Sequence, residues 1–165
     1  ISMLEAVETD GNFAQTTGNI KLIRSGTTET KIEFQYTTNN IDYQAKTVVL
    51  TFDEYGFLET LTDTWLLFNI GSTQVTISKE EAIDIAMEFA QNCTWTANGQ
   101  TISNFILEKD GATAELWPHV RDEPLTLIPY WYVTIPLDGI YPEQVTFIAV
   151  GLWADTGKFS SCQPK

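Results

Sequence analysis

The sequence is poor in positive charge. Nine of its 165 residues are Lys or Arg and one is His, against 22 Asp or Glu, for a formal net charge of −13. Such a surface repels phosphate backbones and anionic lipid, which argues against nucleic acid or a membrane surface as partner and otherwise serves solubility. Long apolar runs are also missing. Nothing approaches the roughly 18 consecutive apolar residues of a spanning helix, and the most apolar stretches, TWLLFNI and LIPYWYVTIPL, have the length of strands. No membrane insertion by this segment is expected. One histidine and two cysteines cannot build a four-ligand zinc site of the usual kind. The strings G-x-S-x-G, H-E-x-x-H, S-x-x-K, G-x-G-x-x-G and G-x-x-x-x-G-K are all absent. No metal, cofactor or catalytic residue is therefore assigned. An initiator Met is lacking as well: the chain opens on Ile1, as a mature or excised fragment with its targeting or anchoring segments outside it would.

What is present is a globular composition, 43% hydrophobic and 19% charged, long enough for one domain or two small lobes. One segment reads as a helix, at about residues 78–91. Ser78 is placed as N-cap with Glu81 three residues on, and Ala82, Ile85, Ala86 and Phe89 fall on one face. Glu80 and Glu81 suit the positive end of the helix, so they need no catalytic role.

Most of the remainder reads as strand. TKIEFQY alternates Ile32, Phe34 and Tyr36 with Glu33 and Gln35, and KTVVLTFDEYGFLETLT is strand, glycine turn, strand. Asn98-Gly99 and Asp110-Gly111 are two-residue hairpin signals. In YWYVTIPL, Trp131, Val133, Ile135 and Leu137 oppose Tyr130, Tyr132 and Thr134, while Pro136 marks an edge or a bulge. The first 30 residues are Gly/Thr-rich and weakly patterned. The expected class is α+β: antiparallel sheets with one main helix packed on a sheet.

A weak repeat accompanies this pattern. An offset of 101 residues lays Ile32, Phe34 and Tyr36 on Val133, Ile135 and Leu137, and matches Val49 with Val150 and Gly56 with Gly157. Two lobes are expected on this basis, a mostly-β one at residues 1–72 and a second at 73–165.

The helix with Glu81-Ala82 and Ile85-Ala86, the strand with Tyr130 or Tyr132 and Val133, and the turn with Ala154, Thr156 and Gly157 together resemble the PepSY domain. That family pairs such a helix with a Tyr-x-Val strand and an Asp-Ala-x-Thr-Gly turn; here Trp153 stands where the family carries Asp, and the DGIYPEQV connection is longer. The likeness runs from about Thr73 to Cys162, with a degenerate copy from about Lys31 to Asn69. It implies one or two small modules in tandem, extracellular or at the cell surface. It also implies a protein-interaction role without catalytic residues, binding or restraining a peptidase or a cell-envelope protein.

Three groups of residues remain. Cys93 and Cys162 are either buried thiols or a disulfide closing a loop of about 70 residues, which chain entropy values at roughly 4 kcal/mol. We expect the bond, and with it an extracytoplasmic location. The sequon Asn92-Cys93-Thr94 makes Asn92 a glycosylation candidate. His119, beside Arg121, Asp122 and Glu123, offers the alternative of a small hydrolase pairing it with a nearby carboxylate. Asp10-Gly11-Asn12 and Asp53-Glu54 have calcium-type oxygens but no spaced ligand series, and turn chemistry accounts for both. Trp117, Tyr130, Tyr132, Tyr141 and Trp153 are the binding candidates, because exposed aromatics anchor protein interfaces and line glycan grooves. A glycan-binding lobe is the second alternative; core packing is the ordinary use of the same rings.

Overall fold

The computed structural model describes residues 11–121 and 123–165. The chain divides into two compact units, Ile1–Gly71 with Val120–Leu127, and Ser72–His119 with Ile128–Lys165. Asp10 and Asp122 lie outside the described residues.

The first unit is an antiparallel meander in chain order: β1 (Phe13–Thr17), β2 (Ile20–Ser25), β3 (Thr30–Thr38), β4 (Ile41–Phe52) and β5 (Leu58–Asp63). Its turns use residues that tolerate positive φ. Asn39 and Asn40, at 51° and 60°, join β3 to β4. At the next turn the Asp53 carboxylate accepts the backbone N–H groups of Tyr55 and Phe57, at 2.9 and 2.8 Å. That turn role occupies the carboxylate considered above for calcium. Leu22, Ile41 and Tyr43 are buried with the polar Gln35, Thr37 and Thr47; Thr37 donates its hydroxyl to the Ile41 carbonyl at 3.1 Å. A short strand, β6 (Asn69–Ile70), runs parallel to Thr126 and Leu127.

The second unit contains α1 (Lys79–Ala90), the small hairpin β7 (Trp95–Ala97) and β8 (Gln100–Ile102), and, apart from Val120, Thr126 and Leu127 of the first unit, a sheet of β9 (Thr113–Val120), β10 (Thr126–Tyr141), β11 (Val145–Trp153) and β12 (Phe159–Pro164). Within it β12, β11 and β10 are neighbours in that order, and β9 also pairs with β10. The helix starts with a complete capping box: Ser78 Oγ accepts from the Glu81 N–H, and the Glu81 carboxylate accepts from the Ser78 N–H. Its buried side chains are Ala82, Ala86 and Ala90, small enough to bring the helix close to β11 and β12. Beneath it lie Trp131, Val133 and Ile135 of β10, paired across the ladder with Leu152, Val150 and Ile148 of β11. The register of this ladder breaks between Pro136 and Tyr141, where proline cannot donate.

Two sequence expectations are corrected. The α+β class gives way to a largely β one, 56% strand against 12% helix among the described residues. Among the described residues α1 is the only α-helix, and the weakly patterned early segment, whose threonines and glycines dilute the alternation, forms β1 and β2. Asp110-Gly111 makes no two-residue hairpin; Lys109–Gly111 is a 3₁₀ turn. Gly111 answers to space instead of φ, since a Cβ there would lie 2.9 Å from Pro136 Cγ.

Candidate functional site

Strand alternation decides which side chains share a surface. With Trp131, Val133 and Ile135 turned into the core, β10 presents Tyr130, Tyr132 and Thr134 on its other face. The ladder sets Trp153, Gly151 and Ala149 of β11 opposite them, and β12 continues the row with Ser161 opposite Gly151 and Gln163 opposite Ala149. Trp117 and His119 of β9 complete this face. The result is an aromatic cleft of about 180 Å³ lined by Trp117, His119, Tyr130, Tyr132, Ala149, Ser161 and Gln163.

Its geometry has two parts. Trp117 and Tyr132 stack in parallel, with ring centroids 4.8 Å apart and planes 5° from parallel, and Trp117 remains 46% exposed. Beside them His119 and Trp153 each stand 5.0 Å from Tyr130, at steep angles to its ring. Tyr130 is buried, and its hydroxyl lies 2.9 Å from Ser161 Oγ. The arrangement therefore presents a broad exposed indole, a phenol and an imidazole over a hydroxyl and a carboxamide. That surface suits binding by contact and hydrogen bonding. Ser161 is engaged with Tyr130, and Asp122 lies outside the described residues.

Four of the five sequence-chosen aromatics thus converge: Trp117, Tyr130, Tyr132 and Trp153. Tyr141 belongs elsewhere. It packs edge-on against Trp95 and Phe105, donates its hydroxyl to Asp138 at 2.7 Å and accepts from the Ile106 N–H. The Asp138 hydrogen bond chiefly, with some desolvation, raises its pKa above the usual phenol value. Asn92 is exposed just past α1, its amide donating to the Glu88 carbonyl at 3.1 Å. Next to it Cys93 is buried and stands at disulfide distance from Cys162 of β12, with Cα atoms 6.2 Å apart. Sequence reasoning did not select Ser161, Gln163 or Gly151. They become site residues only through the register of β10 to β12, which no local pattern carries. His119, the catalytic alternative by sequence, joins the site as an aromatic neighbour.

The corner after β11 holds the site's frame. Ala154 is fully buried; its N–H donates to the Pro129 carbonyl at 3.0 Å, and its carbonyl accepts from the Thr76 N–H at 2.8 Å. Gly157, at φ 68°, closes the turn with an N–H donated to the Trp153 carbonyl at 2.7 Å. Asp155-Thr156-Gly157 is thereby tied to the segment leading into α1.

Among the described residues no helix is long and apolar enough to cross a membrane, and no three His, Cys, Asp or Glu side chains are grouped to hold a metal ion. No family model matches the chain, and no curated protein matches it by sequence. Among solved structures, the Bacillus megaterium YpeB C-terminal domain aligns with 99% of this chain at 11% identity and a TM-score of 0.38. The alignment takes in 60% of that chain, so the present one spans less than two thirds of its length.

Proposed function

We propose that this chain is a non-enzymatic interaction module of PepSY-like type that works outside the cytoplasm. Its partner, a peptidase or another cell-envelope protein, seats on the aromatic cleft of the second unit. The observation that carries the reading is the half-exposed Trp117 stacked on Tyr132 beside the His119, Tyr130 and Trp153 group. Aromatics of this kind supply most of the energy in protein interfaces, because they bury large area at little entropic cost. The Cys93–Cys162 pair supports the compartment, since disulfides persist under oxidising conditions. The first unit is read as a degenerate tandem copy of the second.

The test is capture of secreted peptidases and cell-envelope proteins on the immobilised chain, with each captured protein then titrated as a purified component. A specific partner should bind the native chain and lose roughly a hundredfold in affinity to Trp117→Ala, the scale of a central aromatic anchor. Equal binding by Trp117→Ala and Tyr132→Ala would remove the cleft from the reading. A second reading, a glycan-binding lobe, draws on the parallel Trp117–Tyr132 pair flanked by Ser161 and Gln163. Tryptophan fluorescence changes with soluble polysaccharide fragments, abolished in Trp117→Ala, would favour it over a protein partner.

A further inference from the structure

Among the described residues, the five-stranded sheet of the first unit ends in a strand paired on one side. β5 closes the order β1-β2-β3-β4-β5, and all six of its residues are exposed. An edge strand leaves alternate N–H and C=O groups open to pairing with another chain. Two edges of the other sheet carry a blunting proline, Pro118 in β9 and Pro164 in β12, whereas β1, the opposite edge of this sheet, carries none. β5, with the sequence LETLTD, has neither proline nor lysine.

Apolar side chains gather along the same edge. Tyr55 (77% exposed), Phe57 (71%), Leu58 (53%), Leu61 (61%), Leu66 (89%) and Leu67 (51%) run from the β4–β5 turn to the segment beyond β5. A contiguous exposed apolar stretch of this kind marks an interaction site. At its far end Ile20, Phe34, Val48, Asp63, Trp65 and Leu66 line an open cleft of roughly 410 Å³. Lys46, near this end, is held by the carbonyls of Trp65 and Phe68.

Charge selects the occupant. Residues 51–68 include Asp53, Glu54, Glu59 and Asp63 and no Lys, Arg or His. A second copy of the chain would set the same four carboxylates against these, and like charges across a ladder repel. A cationic strand would meet them favourably. We propose that the β5 edge is a strand-addition site for an extended partner peptide that alternates apolar side chains with Lys or Arg. One of its apolar side chains seats in the cleft beside Asp63. The site belongs to the other unit from the aromatic cleft and does not depend on what that cleft binds.

The probe is an end-blocked (Lys-Val)₄ peptide titrated into the isotope-labelled chain and followed by amide NMR. It should shift the signals of residues 52–68 and saturate below about 1 mM. The (Glu-Val)₄ peptide should leave them in place. Glu54→Lys with Glu59→Lys, both on exposed side chains, should weaken (Lys-Val)₄ roughly tenfold and admit (Glu-Val)₄. N-methylation of alternate residues in (Lys-Val)₄, which removes the pairing donors, should also weaken it roughly tenfold. Trp117→Ala should bind the peptide as the native chain does, so failure here and failure of the aromatic cleft remain separate. The proposal is overturned by shifts spread over the whole acidic surface, by an N-methylated peptide that binds as well as the parent, or by a native dimer paired through β5.

Discussion

The hydroxyl of Tyr130 occupies the space where a Cβ on Gly151 would stand, and that same Cβ would lie 2.8 Å from Ser161 Oγ. Gly151 is therefore required by the close approach of a side chain across the ladder, diagonal to its direct partner Tyr132. The absence of a side chain at one position on β11 lets Tyr130 lie flat, reach Ser161 and stand as the common neighbour of His119 and Trp153.

Gly151→Ala should lift Tyr130 from this seat and destabilise the chain by about 1–3 kcal/mol, the usual cost of overpacking a filled site. Urea unfolding measures it. Adding Tyr130→Phe, which removes the clashing hydroxyl, should recover part of the loss. A Gly151→Ala variant as stable as the native chain would show that Tyr130 does not lie where described.

Ser78→Ala should cost about 1 kcal/mol, because it removes one arm of the capping box and leaves the Glu81 N–H without its acceptor. Glu81→Gln should cost less, since an amide oxygen can still accept from the Ser78 N–H. Both are read from unfolding midpoints at constant denaturant slope. Equal losses would point to the Glu81 charge at the helix N-terminus as the stabilising element.

The contrast between that helix and the rest of the chain shows what is legible in the sequence. The capping box and the Asn98-Gly99 turn are local chemistry, and the structure has both, the turn at φ 51° and 76°. The two faces of β10 are legible because alternation is local too. Register is not. An offset of 101 residues maps Ile32 onto Val133, yet Ile32 pairs with Leu50 while Val133 pairs with Val150, one step away from the offset correspondence. A one-residue slip exchanges the faces of a strand, so the repeat in pattern does not reproduce the repeat in pairing. For the same reason Ser161 and Gln163 carry no local signal, and sequence groups Tyr141, beyond the break after Pro136, with rings it does not meet.

Native and reduced forms should differ by two alkylatable thiols in intact mass, with none reactive before reduction. Cys93 and Cys162 are 69 residues apart in sequence, and bonding them restricts the unfolded chain by roughly 4 kcal/mol on the entropic model. A double Cys→Ala variant should lose stability on that scale. Two thiols that react in the untreated native protein would refute the bond and, with it, the support it lends to an oxidising compartment.

Tyr43 gives the chain a steep alkaline limit. Its side chain is fully buried, its hydroxyl has no hydrogen-bond partner among the described residues, and its ring meets Tyr36 edge-on at 5.5 Å. Burial first, and the neighbouring Tyr36 second, push its pKa up from 10.0 to about 12. The neutral phenol is thus the form the fold accommodates. In the unfolded chain the group ionises near 10, so its contribution is intact below that pH and is lost as pH rises from 10 towards 12. The loss amounts to at most about 2–3 kcal/mol at the upper end of that range. Urea unfolding from about pH 8 to pH 12 should show this fall, and Tyr43→Phe should flatten most of it. At about pH 8 the same variant should be as stable as the native chain or up to about 1 kcal/mol more so, because it removes a buried hydroxyl without a partner among the described residues. A loss of stability in Tyr43→Phe under those conditions would mean that the hydroxyl makes a bond in solution, and the alkaline fall would then need another group.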